Sequence, residues 1–120
     1  MIGIDLMEVA RIDFSTNFID KIATQSEKDY IFKSKCESLQ KQRLTALFCV
    51  KEAVAKALGT GIGKEVSFKD IVLMHDAKGK PFVKLSQSAE KYFKENFANK
   101  NIYVSISHTE NYATAIAEIN

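Results

Sequence analysis

The chain has 120 residues, 46% hydrophobic and 27% charged, which suits one compact domain spanning 1–120 and excludes a disordered protein. Its net charge of +2 and pI near 8.5 are too mild for a nucleic-acid-binding surface, yet suit an anionic ligand or an acidic protein partner. No apolar run approaches the ~20 residues of a membrane span, and Asp5 and Glu8 interrupt any leader-like start, so a cytoplasmic location without membrane contact is expected.

In chain order, Ile2, Ile4 and Leu6 alternate with Gly3, Asp5 and Met7, which predicts a short strand. Helical spacing follows through Val9, Ile12, Phe18 and Ile22, and Ser26 to Lys33 reads as a further short helix. The strongest pattern predicts a long helix from Ser38 or Gln40 to Leu58, stopped by Gly59. Two cysteines, Cys36 and Cys49, are too few for a disulfide framework or a zinc site, and Cys49 in this apolar stretch reads as a buried thiol. Gly59 to Gly63 is a loop. Ile71–Met74 and Phe82–Leu85 read as strands around the turn Asp76–Gly79, and Ser86 can cap a helix to about Phe97. Ile102, Val104 and Ile106 form a strand that Tyr112 to Ile119 returns after a turn at Thr109–Asn111. This order predicts an α+β fold.

Chemistry enters with the long helix. Between Leu44 and Leu58 its only polar residues are Thr45, Lys51, Glu52 and Lys56. Lys and Glu seldom sit on a buried helix unless paired. An ordinary i, i+4 ion pair accounts for Glu52 and Lys56 taken alone. Asp5, a carboxylate in an otherwise apolar strand, suggests more. Were that strand to pack beside the helix, Asp5 and Glu52 would converge on a hard cation such as magnesium, which takes few carboxylates and completes its shell with water and phosphate oxygens. Capture of Asp5 by backbone donors at a strand end is the plain alternative. The Gly59–Gly63 loop matches neither the P-loop nor the dinucleotide fingerprint, although Lys64 beside it can touch a phosphate. His108 at a strand end is most simply structural, Ser107–His108 lacks a third triad member, and His75 at a turn carries no signal.

Four segments, in order, resemble a known family. They are Ile2-Gly-Ile-Asp-Leu6 with Arg11-Ile12, Phe48 to Ala57 leading into Gly59-Thr-Gly-Ile-Gly63, Gly79-Lys-Pro81, and Val104-Ser-Ile-Ser-His-Thr109. Together they resemble the small bacterial holo-[acyl-carrier-protein] synthases of the 4′-phosphopantetheinyl transferase family. The resemblance implies a small antiparallel-rich sheet packed against a long central helix. It also implies transfer of 4′-phosphopantetheine from coenzyme A to a serine of apo-acyl carrier protein, giving 3′,5′-ADP and serving fatty acid biosynthesis. Asp5 and Glu52 would hold Mg2+, with Glu52 and Lys56 as catalytic residues and Lys56 beside the pyrophosphate. Gly59, Lys64, His108 and Thr109 would line the coenzyme A site, the last three at its 3′-phosphate end, with Gly79, Lys80 and Pro81 bordering the adenine. Arg11 would begin a helix that docks the carrier protein, and a homotrimer would build each site across a subunit boundary.

Two departures stand out. Members often carry arginine just before the phenylalanine of the second segment, where this chain has Leu47, and Asp13 and Asp20 make the docking region less basic. The base that takes the serine proton is open between Glu52 and a water on the metal. Two rival readings remain at this stage: a coenzyme A- or nucleotide-binding module without turnover, and an unrelated scaffold with a structural polar core.

Overall fold

A computed structural model describes residues 1–120. Strand β1 (Ile2–Glu8) pairs antiparallel with β5 (Tyr112–Ile119), which pairs antiparallel with β4 (Ile102–His108). The sheet order is thus β1-β5-β4. A second, two-stranded sheet joins β2 (Ile71–His75) to β3 (Pro81–Leu85). Helix α3 (Glu37–Leu58) lies across the first sheet, while α1 (Thr16–Ile22), α2 (Gln25–Phe32) and α4 (Gln87–Asn96) flank it.

Helix α3 forms because Ala, Leu, Val and Lys dominate its second half, and it stops because Gly59 takes a left-handed φ of 83°. Its apolar face meets Ala113, Ala115 and Ala117 of β5, small side chains that let the helix sit close to the strand. Gly3 allows the same approach on β1. A Cβ there would lie 1.9 Å from the Ala53 carbonyl oxygen and 2.7 Å from the Ala57 amide. Gly3→Ala therefore forces β1 off the helix, and overpacking of this kind costs about 1–3 kcal/mol or more. A melting temperature lowered by several degrees, with turnover reduced as Asp5 moves from Glu52, is the expected result by thermal denaturation and steady-state assay.

One expectation about the early helices is corrected. The helical spacing from Val9 to Ile22 is not one helix: a single 3-10 turn covers Val9–Arg11, and α1 begins only at Thr16. Asp13 accepts a hydrogen bond from the Ser15 amide at 2.9 Å, and Ser15 accepts one from the Phe18 amide at 3.2 Å. Short polar side chains thus take the amides that a continuous helix would need. Helix α2 starts at Gln25 because Thr24 and Glu27 form a reciprocal capping box. The other elements follow the expected boundaries within a residue or two.

A second apolar cluster, built from Ile12, Ile19, Ile22, Ala23, Ile31, Leu44 and Leu47, sits under the α1–α2 segment. Glu27 and Lys51 are buried at its edge. The Lys51 ammonium donates to Glu27 Oε1 at 2.8 Å, to the Ile22 carbonyl at 2.7 Å and to the Phe68 carbonyl at 2.9 Å. Glu27 in turn accepts from the Thr24 and Leu73 amides at 2.8 and 2.7 Å. Every proton of the ammonium is used, which lets a buried charge persist.

Candidate active site

Asp5 and Lys56 meet at the junction of β1 and α3. Asp5 faces the helix because it shares parity with Gly3 and Met7, and the next turn of α3 after Glu52 carries Lys56. The Lys56 ammonium donates to Asp5 Oδ1 at 3.0 Å and to the Ile4 carbonyl at 3.0 Å. The plain i, i+4 pairing of Glu52 with Lys56 is thereby corrected: the strand carboxylate takes the lysine, since it stands directly beside the helix edge. Glu52 remains half-buried near both. Burial first, and then the Asp5 charge, push its carboxyl above the usual glutamate value, with Lys56 only partly opposing.

Two carboxylates that repel across a partly desolvated gap form a site short of positive charge. Oxygen donors of this kind, few in number and beside open solvent, fit magnesium better than a soft metal. Asp5 and Glu52 are the residues that could hold such an ion. Cys49 lies against the same pair. Burial, reinforced by Asp5, pushes its thiol up to about 12, so it is neither a metal-binding thiolate nor a nucleophile at neutral pH. It donates to the Ala113 carbonyl at 3.6 Å.

A shallow groove of about 350 Å³ runs from Asp5 past Met7 and Phe48 to Arg11. Arg11 is exposed and closes the 3-10 turn after β1 rather than opening a helix, because the chain stays extended from Ile12 to Ser15. Gly59, at the end of α3, follows Lys56 by three residues and its amide bonds to the Lys56 carbonyl at 3.0 Å. Lys64 is exposed in the loop beyond.

The remaining candidates gather elsewhere. Gly79, Pro81 and His108 line a cavity of about 210 Å³ between α2, α3, β2 and β4. His108 Nδ1 lies 2.8 Å from Gln42 Oε1; with Nδ1–H donating, Nε2 is left for a ligand. Lys80 points into a different groove with Phe82 and Tyr103. Thr109 caps the β4–β5 turn, its hydroxyl accepting from the Asn111 and Tyr112 amides.

Three residues of this cavity carried no signal in the sequence. Tyr30 and His75 stack with ring centroids 4.3 Å apart, and the Arg43 guanidinium carbon lies 4.5 Å from the Tyr30 centroid. Burial, and then the Arg43 charge, hold His75 below its ordinary value, so the imidazole is neutral at pH 7. Because α2, the α3 start and β2 are far apart in sequence, only the fold brings these three together.

Comparison with known proteins identifies the family of the chain. A family model described as the 4′-phosphopantetheinyl transferase superfamily matches residues 1–117. The chain belongs to that superfamily. The holo-[acyl-carrier-protein] synthase of Staphylococcus epidermidis is 43% identical over 115 residues, covering 93% of this chain and 88% of that one. The corresponding synthase of Ruminiclostridium cellulolyticum is 38% identical, covering 100% and 91%. Among solved structures, the Helicobacter pylori synthase in complex with coenzyme A aligns with a TM-score of 0.83 at 34% identity over 100% of both chains. The Bacillus anthracis synthase in complex with coenzyme A (3′,5′-ADP) aligns with a TM-score of 0.82 at 35% identity, covering 98% and 93%. The fold is therefore the α+β arrangement expected from the resemblance, an antiparallel-rich sheet against a long central helix.

Proposed function

We propose that this protein, acting as one domain, transfers the 4′-phosphopantetheine group of coenzyme A to a serine of apo-acyl carrier protein and releases 3′,5′-ADP. The observation that carries this reading is the meeting of Asp5, Glu52 and Lys56 where β1 packs on α3. Full-length similarity to synthases named for this reaction supports it.

In the reaction the serine hydroxyl gives up its proton, to Glu52 or to water, and its oxygen forms a bond to the phosphorus that carries the pantetheine arm. The bond from that phosphorus to the bridging oxygen breaks, and the electron pair leaves with 3′,5′-ADP. Chemistry of this kind depends on positioning and charge stabilisation. Lys56, exposed at the rim, places its ammonium against the pyrophosphate as charge develops on the leaving oxygen. Asp5 and Glu52 would hold Mg2+, which when bound would neutralise phosphate charge. The groove from Asp5 to Arg11 receives the carrier, Arg11 meeting its acidic surface so that the serine points toward Asp5.

Each site is completed by a second subunit of a homotrimer. Arg43, on the cavity lined by Gly79 and His108, lies thirteen residues before Lys56 on α3, which is about 20 Å along the axis at 1.5 Å per residue. The 3′-phosphate and the 5′-pyrophosphate of coenzyme A share one ribose, so a single nucleotide does not reach both regions of one chain. The outer face of the first sheet supports association: Ile2, Ile4 and Leu6 are 66%, 60% and 66% exposed, beside Ile116 and Tyr103. An apolar face of this extent marks a contact surface. Such an enzyme would serve fatty acid biosynthesis in the cytoplasm.

Chromatographic release of 3′,5′-ADP on mixing protein, coenzyme A, Mg2+ and apo-carrier tests the reading. Release that disappears when the carrier serine is replaced by alanine is expected; release that ignores the serine overturns the transfer.

A further inference from the structure

We propose that Arg43, held in place by Tyr30, supplies the cation that receives the ribose 3′-phosphate of coenzyme A; this rests on the transferase reading. Leu47 is 2% exposed and faces the second apolar cluster, so the position just before Phe48 offers no charge. Arg43 stands one helical turn earlier on the same face of α3, and both line the cavity that also holds Gly79, Pro81 and His108.

Arg43 is the only lysine or arginine on that cavity. The other charged lining group, Glu27, has its carboxylate committed to Lys51 and to two backbone amides. His75 is held neutral, and Lys80 turns to another groove. The cavity therefore presents one uncommitted charge, and it is positive.

The guanidinium is also pre-positioned. Its Nη1 donates to the Tyr30 carbonyl at 2.9 Å while its Cζ lies 4.5 Å from the centroid of the Tyr30 ring, on which His75 also stacks. The other guanidinium N–H groups have no protein acceptor. A planar fork with donors free and its stem fixed is suited to a phosphate dianion, and little rotamer freedom is lost on binding. His108, its Nδ1 2.8 Å from Gln42 Oε1, lines the same cavity.

The test compares coenzyme A with 3′-dephospho-coenzyme A as donors for the assembled protein and apo-carrier. For wild type, KM for coenzyme A is the lower of the two. Arg43→Gln, which keeps an amide donor for the Tyr30 carbonyl but no charge, should shrink the KM ratio between the donors roughly 10- to 100-fold, the worth of one or two charge-assisted hydrogen bonds. Arg43→Lys, which keeps the charge without the fork, should shrink it by less than Arg43→Gln does. An unchanged ratio in both variants, or equal increases in KM for both donors, overturns the assignment while leaving the transferase intact. A wild-type protein that turns over neither donor overturns the transferase reading itself, and Arg43 with it.

Discussion

Glu52→Ala should lower turnover by on the order of 10²- to 10³-fold, the usual effect of removing one pre-organised electrostatic group from a reaction centre. Its melting temperature should stay within a few degrees of wild type or rise. The reason lies in the charge balance of the junction. Burial and the Asp5 charge already make an ionised Glu52 costly, and Lys56 gives its hydrogen bond to Asp5 instead. Removing Glu52 relieves repulsion in the folded state while depriving the site of a carboxylate. Were Glu52 only an ion-pair partner of Lys56, alanine would cost a few tenths of a kcal/mol and leave turnover unchanged. Parallel thermal melts and steady-state assays separate the two, and full turnover in a folded variant contradicts the role given to Glu52.

Lys51→Met should produce the opposite pattern, a large loss of stability from a residue that touches no reacting atom. The substitution strands the Glu27 carboxylate and leaves the Ile22 and Phe68 carbonyls without their donor. Breaking one side of a buried ion pair costs about 3–5 kcal/mol, which for a domain of this size lowers the melting temperature by roughly 10–20 °C. The pair also ties α2 to β2 through the Leu73 amide, so simultaneous replacement of Glu27 by leucine does not restore stability. That separates this network from isolated buried pairs, where an apolar swap is often neutral. A loss below 1 kcal/mol, typical of exposed pairs such as Lys28–Asp20, would contradict the account.

Much of this architecture was legible in the residues because local signals agree with the fold. Gly59 ends α3, Ser86 caps α4, and the period-two pattern of Ile102, Val104 and Ile106 matches a strand whose register brings Val104 opposite Ala117. Asp5 and Glu52 also stood out, since a carboxylate in an apolar strand and a charge on an apolar helix both demand a partner. What periodicity concealed was competition by short side chains. Asp13 and Ser15 divert backbone amides between Ile12 and Thr16, so hydrophobic spacing that ran through the segment did not make one helix.

Other features depend on contacts between distant segments. Lys51 was visible as a charge on a buried helix, but its partner Glu27 lies 24 residues earlier in a different helix. The Arg43–Tyr30–His75 stack joins three elements whose individual residues carry no pattern. Strand β1 shows the same limit in another form. Its alternation predicted a strand correctly, yet Gly3 faces the helix while the isoleucines and Leu6 face outward, because α3 packs too close for a larger side chain.

The most direct test of the central claim is the intact mass of apo-acyl carrier protein after incubation with this protein, coenzyme A and Mg2+. A carrier heavier by one phosphopantetheine group, with the gain abolished by a chelator and restored by excess Mg2+, is the predicted result. An unchanged mass, with the carrier folded and its serine free, would contradict it.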